Sequence, residues 1–184
     1  MDENATGDIT LLLRQAATDD PDSLSRVCGL LYAELRKIAR GIARGGQDTL
    51  TPTVLVNEAY LRLCGNESLN LESRKHFYAT AAQAMRWIVV DHARRAQTGR
   101  HGGDLVRVEL EDNLLQETRP EEVLALDAAL DQLQKIDPAR RELVELRFFA
   151  GLDYAELAPM LGRSERTLKR EWAAARAALQ TLME

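Results

Sequence analysis

The sequence predicts an all-α protein made of two small helical domains joined by a flexible acidic linker. Three observations carry that expectation. Leu, Ala, Arg and Glu, all good helix formers, dominate a chain with only 5% aromatic residues. Apolar positions recur at steps of three and four residues, the spacing that lines one face of a helix. That rhythm breaks over 98–119, where Gly99, Gly102 and Gly103 lead into an acidic run. With 5 prolines and 11 glycines in 184 residues, the chain lacks the frequent turns of a β-sandwich.

The elements follow in order. Leu11, Leu12, Gln15 and Ala16 begin a short helix that ends near Asp19-Asp20-Pro21. After a cap at Asp22 or Ser23, Leu24, Val27, Cys28, Leu31, Leu35, Ile38 and Ala39 line a second helix that closes near Gly45-Gly46. Thr51-Pro52-Thr53 opens a third, because proline suits the first helical turn, and Gly65-Asn66 stops it. A polar loop from Glu67 to Arg74 precedes a long helix from about Lys75 to Ala96, with Phe77, Ala81, Ala84, Met85, Ile88, Val89 and His92 on one face. These segments form a first domain over 8–97. The linker over 98–119 could span up to about 65 Å when extended. The second domain, 120–184, starts at Pro120 with a helix marked by Val123, Leu126, Leu130 and Leu133. Asp137-Pro138 caps the next, which runs through Leu143, Leu146 and Phe149 to a stop at Gly151.

Several function classes fall away on composition. No apolar run approaches the roughly 20 residues that cross a bilayer, and the acidic start lacks the basic and apolar parts of a signal peptide. The expected location is the cytoplasm, with no membrane partner. Cys28 and Cys64 form no CxxC pair, and His76, His92 and His101 are scattered, so neither a disulfide framework nor a zinc site is expected. Glu72 and His76 lie one helical turn apart, but a di-metal carboxylate bundle needs a second Glu-His pair that the chain lacks. No phosphate-cradling glycine loop or nucleophile elbow is present. The expectation is therefore a protein that is not an enzyme and takes no cofactor or metal.

The net charge of −5 argues on its face against nucleic acid, but the charges are segregated. Acidic residues fill the N-terminus and the stretch from Glu109 to Asp131. Basic clusters lie at Arg36, Lys37, Arg40 and Arg44, at Arg86, Arg94, Arg95 and Arg100, and at Arg163, Arg166, Lys169, Arg170 and Arg176. Attraction is local on the scale of a Debye length, about 8 Å at physiological salt, so patches outweigh the sum. Solvated helix faces also produce such clusters, and charge alone does not decide.

The most informative segment runs from Leu152 to Arg170. A helix of about eight residues packs through Leu157 and Leu161, Gly162 supplies a tight turn, and Ser164 caps a second helix whose apolar side, with Leu168 and Trp172, faces the first. Pro159 interrupts the smooth pattern of the first helix and predicts a kink. A helix-turn-helix presents its second helix to the DNA major groove, N-terminal residues first. Here that edge carries Arg163, Ser164, Glu165, Arg166, Thr167, Lys169 and Arg170. Arg reads guanine edges in bidentate fashion, Lys and Ser hold phosphates, and Glu accepts from cytosine.

At this point the chain resembles bacterial sigma factors of the extracytoplasmic-function (ECF) group. The segment from Val144 to Leu152 and the helix-turn-helix after it resemble that family's domain four. Thr53 to Leu63 is similar to the family helix that docks on the clamp helices of the polymerase β′ subunit. His76 to Arg95 resembles the helix that opens and reads the minus-ten promoter element. Leu50-Thr51-Pro52-Thr53-Val54-Leu55-Val56 and Val90-Asp91-His92-Ala93-Arg94 match one subtype most closely. The resemblance runs from about Asp8 to Leu182 in the family's order.

The resemblance implies an RNA polymerase sigma factor that brings core polymerase, through the β′ clamp helices and the β flap, to promoter DNA and assists melting. An anti-sigma factor is a further partner of many members. The helix-turn-helix edge would then meet the minus-thirty-five element. Asn57, Glu58, Tyr60, Leu61 and Arg62 would face polymerase. Asn70, Ser73 and Arg74, before the long helix, would hold the edge of an extruded base. Arg86, His92, Arg94 and Arg95 suit the strand's phosphates, and Phe77, Tyr78 and Trp87, near Lys75, His76 and Arg86, offer aromatic faces for unpaired bases. By analogy the acidic linker threads the polymerase cleft. The alternatives are a stand-alone helix-turn-helix regulator that binds DNA as a dimer, and a helical adaptor that touches no nucleic acid.

Overall fold

A computed structural model describes residues 29, 32–39, 51–64, 73–98 and 120–183. The described residues form seven helices: α1 (32–39), α2 (Pro52–Cys64), α3 (Arg74–Thr98), α4 (Pro120–Ile136), α5 (Pro138–Phe148), α6 (Tyr154–Leu161) and α7 (Glu165–Met183). No strand occurs among them. The predicted helix at Leu11–Ala16, the cap at Asp22 or Ser23, the stops at Gly45-Gly46 and Gly65-Asn66, the loop residues through Glu72 and the linker over 99–119 lie outside the described residues.

Helix starts follow local chemistry. The Thr51 hydroxyl accepts the Val54 amide at 3.3 Å, and Pro52 takes the first helical position of α2. Asp137 caps α5 by accepting the Arg140 amide at 3.0 Å, ahead of Pro138. At α6 the cap is reciprocal: Asp153 accepts the Glu156 amide at 2.8 Å, and the Glu156 carboxylate accepts the Asp153 amide at 3.0 Å. The long helix starts one residue earlier than expected, because Ser73 accepts the His76 amide at 3.1 Å and draws Arg74 into the first turn, and it runs two residues further at its end. Pro159 does not interrupt α6, which continues to Leu161.

One continuous core runs through the described helices. α2 packs on α3, α3 lies across α4 and α5, and α7 closes over α4, α5 and α6. Leu35, Leu55, Phe77 and Met85 fill the first half, and Leu130, Leu146, Leu157 and Leu168 the second, all with no exposed surface. Removing each such side chain from water contributes about 1.5–3 kcal/mol. The helices on either side of residues 99–119 are therefore packed against each other, an arrangement that hydrophobic periodicity within each helix does not specify.

Candidate nucleic-acid interface

The helix-turn-helix is built from α6 and α7. Gly162 takes the left-handed conformation, φ 64° and ψ 33°, and ends α6 with its amide on the Ala158 carbonyl. A side chain there would meet nothing within 4 Å, so the requirement for glycine is conformational, not steric. The Ser164 hydroxyl then accepts the Thr167 amide at 3.1 Å and opens α7. Leu168 and Trp172 turn inward onto Leu157. The Arg147 guanidinium lies 4.1 Å from the Tyr154 ring centroid and 5.4 Å from that of Trp172, which ties α5 to both helices of the motif.

With the apolar side fixed, the opposite edge of α7 is turned outward. Ser164, Glu165, Arg166, Lys169 and Arg170 are exposed, and Arg163 and Thr167 are half-buried. Arg163 pairs with Glu171 at 2.7 Å, and Lys169 reaches Glu165 at 3.5 Å. Arg166 and Arg170 form no ion pair among the described residues. Two guanidiniums one turn apart, both in solvent, form a surface suited to phosphates or base edges.

The α2 surface carries the second predicted group. Asn57, Leu61 and Arg62 are exposed, and Glu58 and Tyr60 half-buried. Leu61 is 69% exposed, a large apolar side chain left to water. Tyr32 packs edge-on against Tyr60, with ring centroids 5.9 Å apart, and its hydroxyl donates to Asn57 Oδ1 at 3.4 Å. Beside them Tyr32, Arg36, Pro52, Thr53 and Val56 line a cavity of about 320 Å³. The Arg62 guanidinium stacks 3.4 Å from the Trp87 ring centroid, joining the α2 surface to α3.

The predicted residues of α3 divide into three sets. Trp87 is 46% exposed and offers a ring face near Arg62. Phe77 and Tyr78 do not, since both are buried; the Tyr78 hydroxyl donates to Glu34 Oε2 at 2.9 Å. Burial first, and Glu34 second, push that phenol above its usual range. Helix phase decides it: Phe77 lies on the core face, where its place in the apolar stripe already put it, Tyr78 is a correction to the same side, and Trp87 faces out.

The polar residues divide too. His76, Arg94 and Arg95 are exposed, with Arg95 on Asp91, and His92 is half-buried. Ser73, expected to offer its hydroxyl to a base, uses it as the α3 cap. Arg74 reaches Glu156 at 3.6 Å and Lys75 reaches Glu142 at 2.8 Å. Asn70 lies outside the described residues.

Arg86, expected on a phosphate, is instead buried between the two halves, 8% exposed. Its Nε donates to Asp127 Oδ1 at 2.8 Å and its Nη1 to Glu145 Oε1 at 3.0 Å. Its Nη2 donates to Asp131 Oδ1 at 2.6 Å and to the Asp127 carbonyl at 2.9 Å. Burial alone would lower the guanidinium pKa, but the hydrogen bonds it donates to Asp131, Glu145 and Asp127 reverse the sign and raise it. Arg94 joins the cluster at 3.4 Å from Asp127 Oδ2, and Arg141 pairs with Glu145 at 2.7 Å. Sequence reasoning missed the acidic side of this cluster. Asp127 and Asp131, one turn apart and flanking the apolar stripe Val123-Leu126-Leu130, were the available signal, but nothing in their spacing names a partner on a distant helix.

Among the described residues, no group of three or more His, Cys, Asp or Glu side chains could hold a metal ion, and no helix is long and apolar enough to cross a membrane. A sequence model described as ECF sigma factor matches residues 6–184. The chain belongs to the ECF sigma factor family. Sigma factors direct RNA polymerase to promoters and catalyse nothing themselves; they act in transcription initiation as DNA-binding subunits. The match takes in both halves, so the stand-alone dimeric regulator no longer accounts for residues 6–119. No curated protein and no solved structure matches the chain.

Proposed function

We propose that this sigma factor divides its labour as 8–97, a linker over 98–119, and 120–184, with three separate working surfaces. In this reading α2 docks on the β′ clamp helices of core polymerase through Asn57, Glu58, Tyr60, Leu61 and Arg62. The 69% exposure of Leu61 supports it, because an isolated apolar side chain amid polar neighbours gains most by being covered. The segment from Asn70 to Lys75 and α3, through His76, Trp87, His92, Arg94 and Arg95, takes the unpaired minus-ten strand. Trp87 stacks on a base and the arginines hold phosphates. Arg86 belongs to this set once it is released from its carboxylates.

The edge of α7, from Arg163 to Arg170, reads the minus-thirty-five element, while the second half also meets the β flap. The observation that carries the proposal most directly is the Gly162 turn, which leaves Arg166 and Arg170 in solvent while Leu168 and Trp172 hold the helix from behind. The factor works in the cytoplasm, where core polymerase is found. A partner that withholds it, of the anti-sigma kind, would have to cover one of these surfaces.

Run-off transcription with purified core polymerase and a promoter library tests the reading. The expected result is a defined set of transcripts that depends on this protein. Arg166→Ala should reduce them through the upstream element, and Leu61→Asp through loss of polymerase binding. A set of transcripts unchanged by both substitutions would overturn the assignment of surfaces.

A further inference from the structure

The basic residues on the α7 edge are not held alike. Arg163 is drawn back onto Glu171 at 2.7 Å, whereas Lys169 is steadied by α6. Its ammonium lies 5.5 Å from the Tyr154 ring centroid and 3.5 Å from Glu165 Oε2. Both contacts are attractive, yet the lysine side chain stays 59% exposed and open to a further anion. Tyr154, for its part, is a fixed platform. It is the first residue of α6, and the reciprocal cap between Asp153 and Glu156 sets its backbone. The Arg147 guanidinium meets its ring at 4.1 Å, and Arg147 Nη1 also donates to the Leu152 carbonyl at 3.4 Å. Leu168, buried beside Lys169 in sequence, fixes the phase of α7.

We propose that Tyr154 is a positioning residue for the upstream element: its ring, held by Arg147, keeps the Lys169 ammonium on the α6 side of α7, ready for a DNA phosphate. This rests on the reading of the α7 edge as the minus-thirty-five surface. A lysine is a point charge on a flexible four-carbon stem, so it loses rotamer freedom when it grips an anion. A ring that already confines the stem removes part of that loss, which is the gain from preorganisation. Glu165 cannot serve in the same way, because its carboxylate competes with a phosphate for the ammonium. A neutral ring face does not compete, and a cation can touch ring and phosphate at once.

The test uses holoenzyme reconstituted from core polymerase and the full chain. It is titrated on a labelled duplex promoter from the run-off library, between about 50 and 200 mM salt. Lys169→Ala should flatten the slope of log affinity against log salt by about 0.9, the signature of one phosphate contact. Tyr154→Leu should weaken binding about twofold to fivefold, the size of an exposed cation–π contact, and Tyr154→Phe should retain wild-type binding. In the Lys169→Ala background, Tyr154→Leu should have no further effect. An equal loss in both backgrounds overturns the proposal, because Tyr154 would then only prop the two helices apart from any lysine. Unchanged or tighter binding by Tyr154→Leu overturns it as well, and so does a loss in Tyr154→Phe equal to that in Tyr154→Leu. If Tyr154→Leu does not fold by circular dichroism, Tyr154→Met, ringless but more adaptable, gives the same readouts. Arg166→Ala, run in parallel, separates this proposal from the reading beneath it. If Lys169→Ala leaves the slope unchanged, the proposal falls, while a loss with Arg166→Ala keeps α7 as the reading edge. If neither substitution matters, that reading falls too.

Discussion

The basic edge of α7 and the basic face of α3 carry the same residue types in the same kind of helix, yet they lie in opposite electrostatic states. On α7 the guanidiniums of Arg166 and Arg170 stand in water. On α3, Arg74, Lys75, Arg86 and Arg94 each meet carboxylates of the other half. A basic cluster in a sequence therefore does not say what it meets; tertiary packing decides whether its charges stand in water or on the protein's own carboxylates. The difference also separates two design problems. On α7 the charged edge is backed by the buried Leu168 and Trp172, whereas on α3 the charges are themselves part of the contact between the two halves.

The largest expected effect attacks the α3 side of that contrast. Glu145→Ala removes one of the carboxylates around a buried Arg86 and also strands Arg141; it should cost about 3 kcal/mol in urea denaturation. If it costs no more than a surface ion pair, the buried cluster is not what distinguishes the two faces. Next comes Arg166→Ala on the α7 side. It should weaken binding to the upstream element by about 1–3 kcal/mol in a gel-shift titration, with the melting temperature unchanged, because no described residue pairs with it. Gly162→Ala should be smaller, about 1 kcal/mol of stability by denaturation, the cost of a left-handed residue with a Cβ in open space.

The smallest effect concerns Tyr78 beneath the α3 face. Its folded-state pKa is raised, so above the ordinary phenol value near 10 the unfolded chain loses a proton that the folded chain keeps. Stability contributed by this group is full below pH 10 and is lost as pH rises beyond it. Ultraviolet difference titration should show one tyrosine ionising later than the rest, and Glu34→Gln should bring it earlier.

Much of the fold was legible in the sequence, and for separable reasons. The Thr51-Pro52, Asp137-Pro138 and Gly162-Arg163-Ser164 boundaries are local: each depends on a cap, a fixed φ or a left-handed turn within a few residues. The α6–α7 surface could be read for the same reason, since Leu157, Leu168 and Trp172 fix its phase within one hairpin. Ser73 was legible as polar but not as a cap, because a base contact and an amide contact ask for the same hydroxyl. Arg86 was the least legible. Its three carboxylates lie 41 to 59 residues away in sequence, beyond the reach of any periodicity.

The chain holds 2 tryptophans, and the fold gives them unlike surroundings: Trp87 beneath Arg62 at the surface of one half, Trp172 walled in on the buried side of α7 in the other. Nature has thus installed a pair of optical gauges. Quenchers dissolved in the buffer reach one indole well before the other, so emission colour and quenching yield, followed together, time the engagement of each end of the molecule with no dye attached.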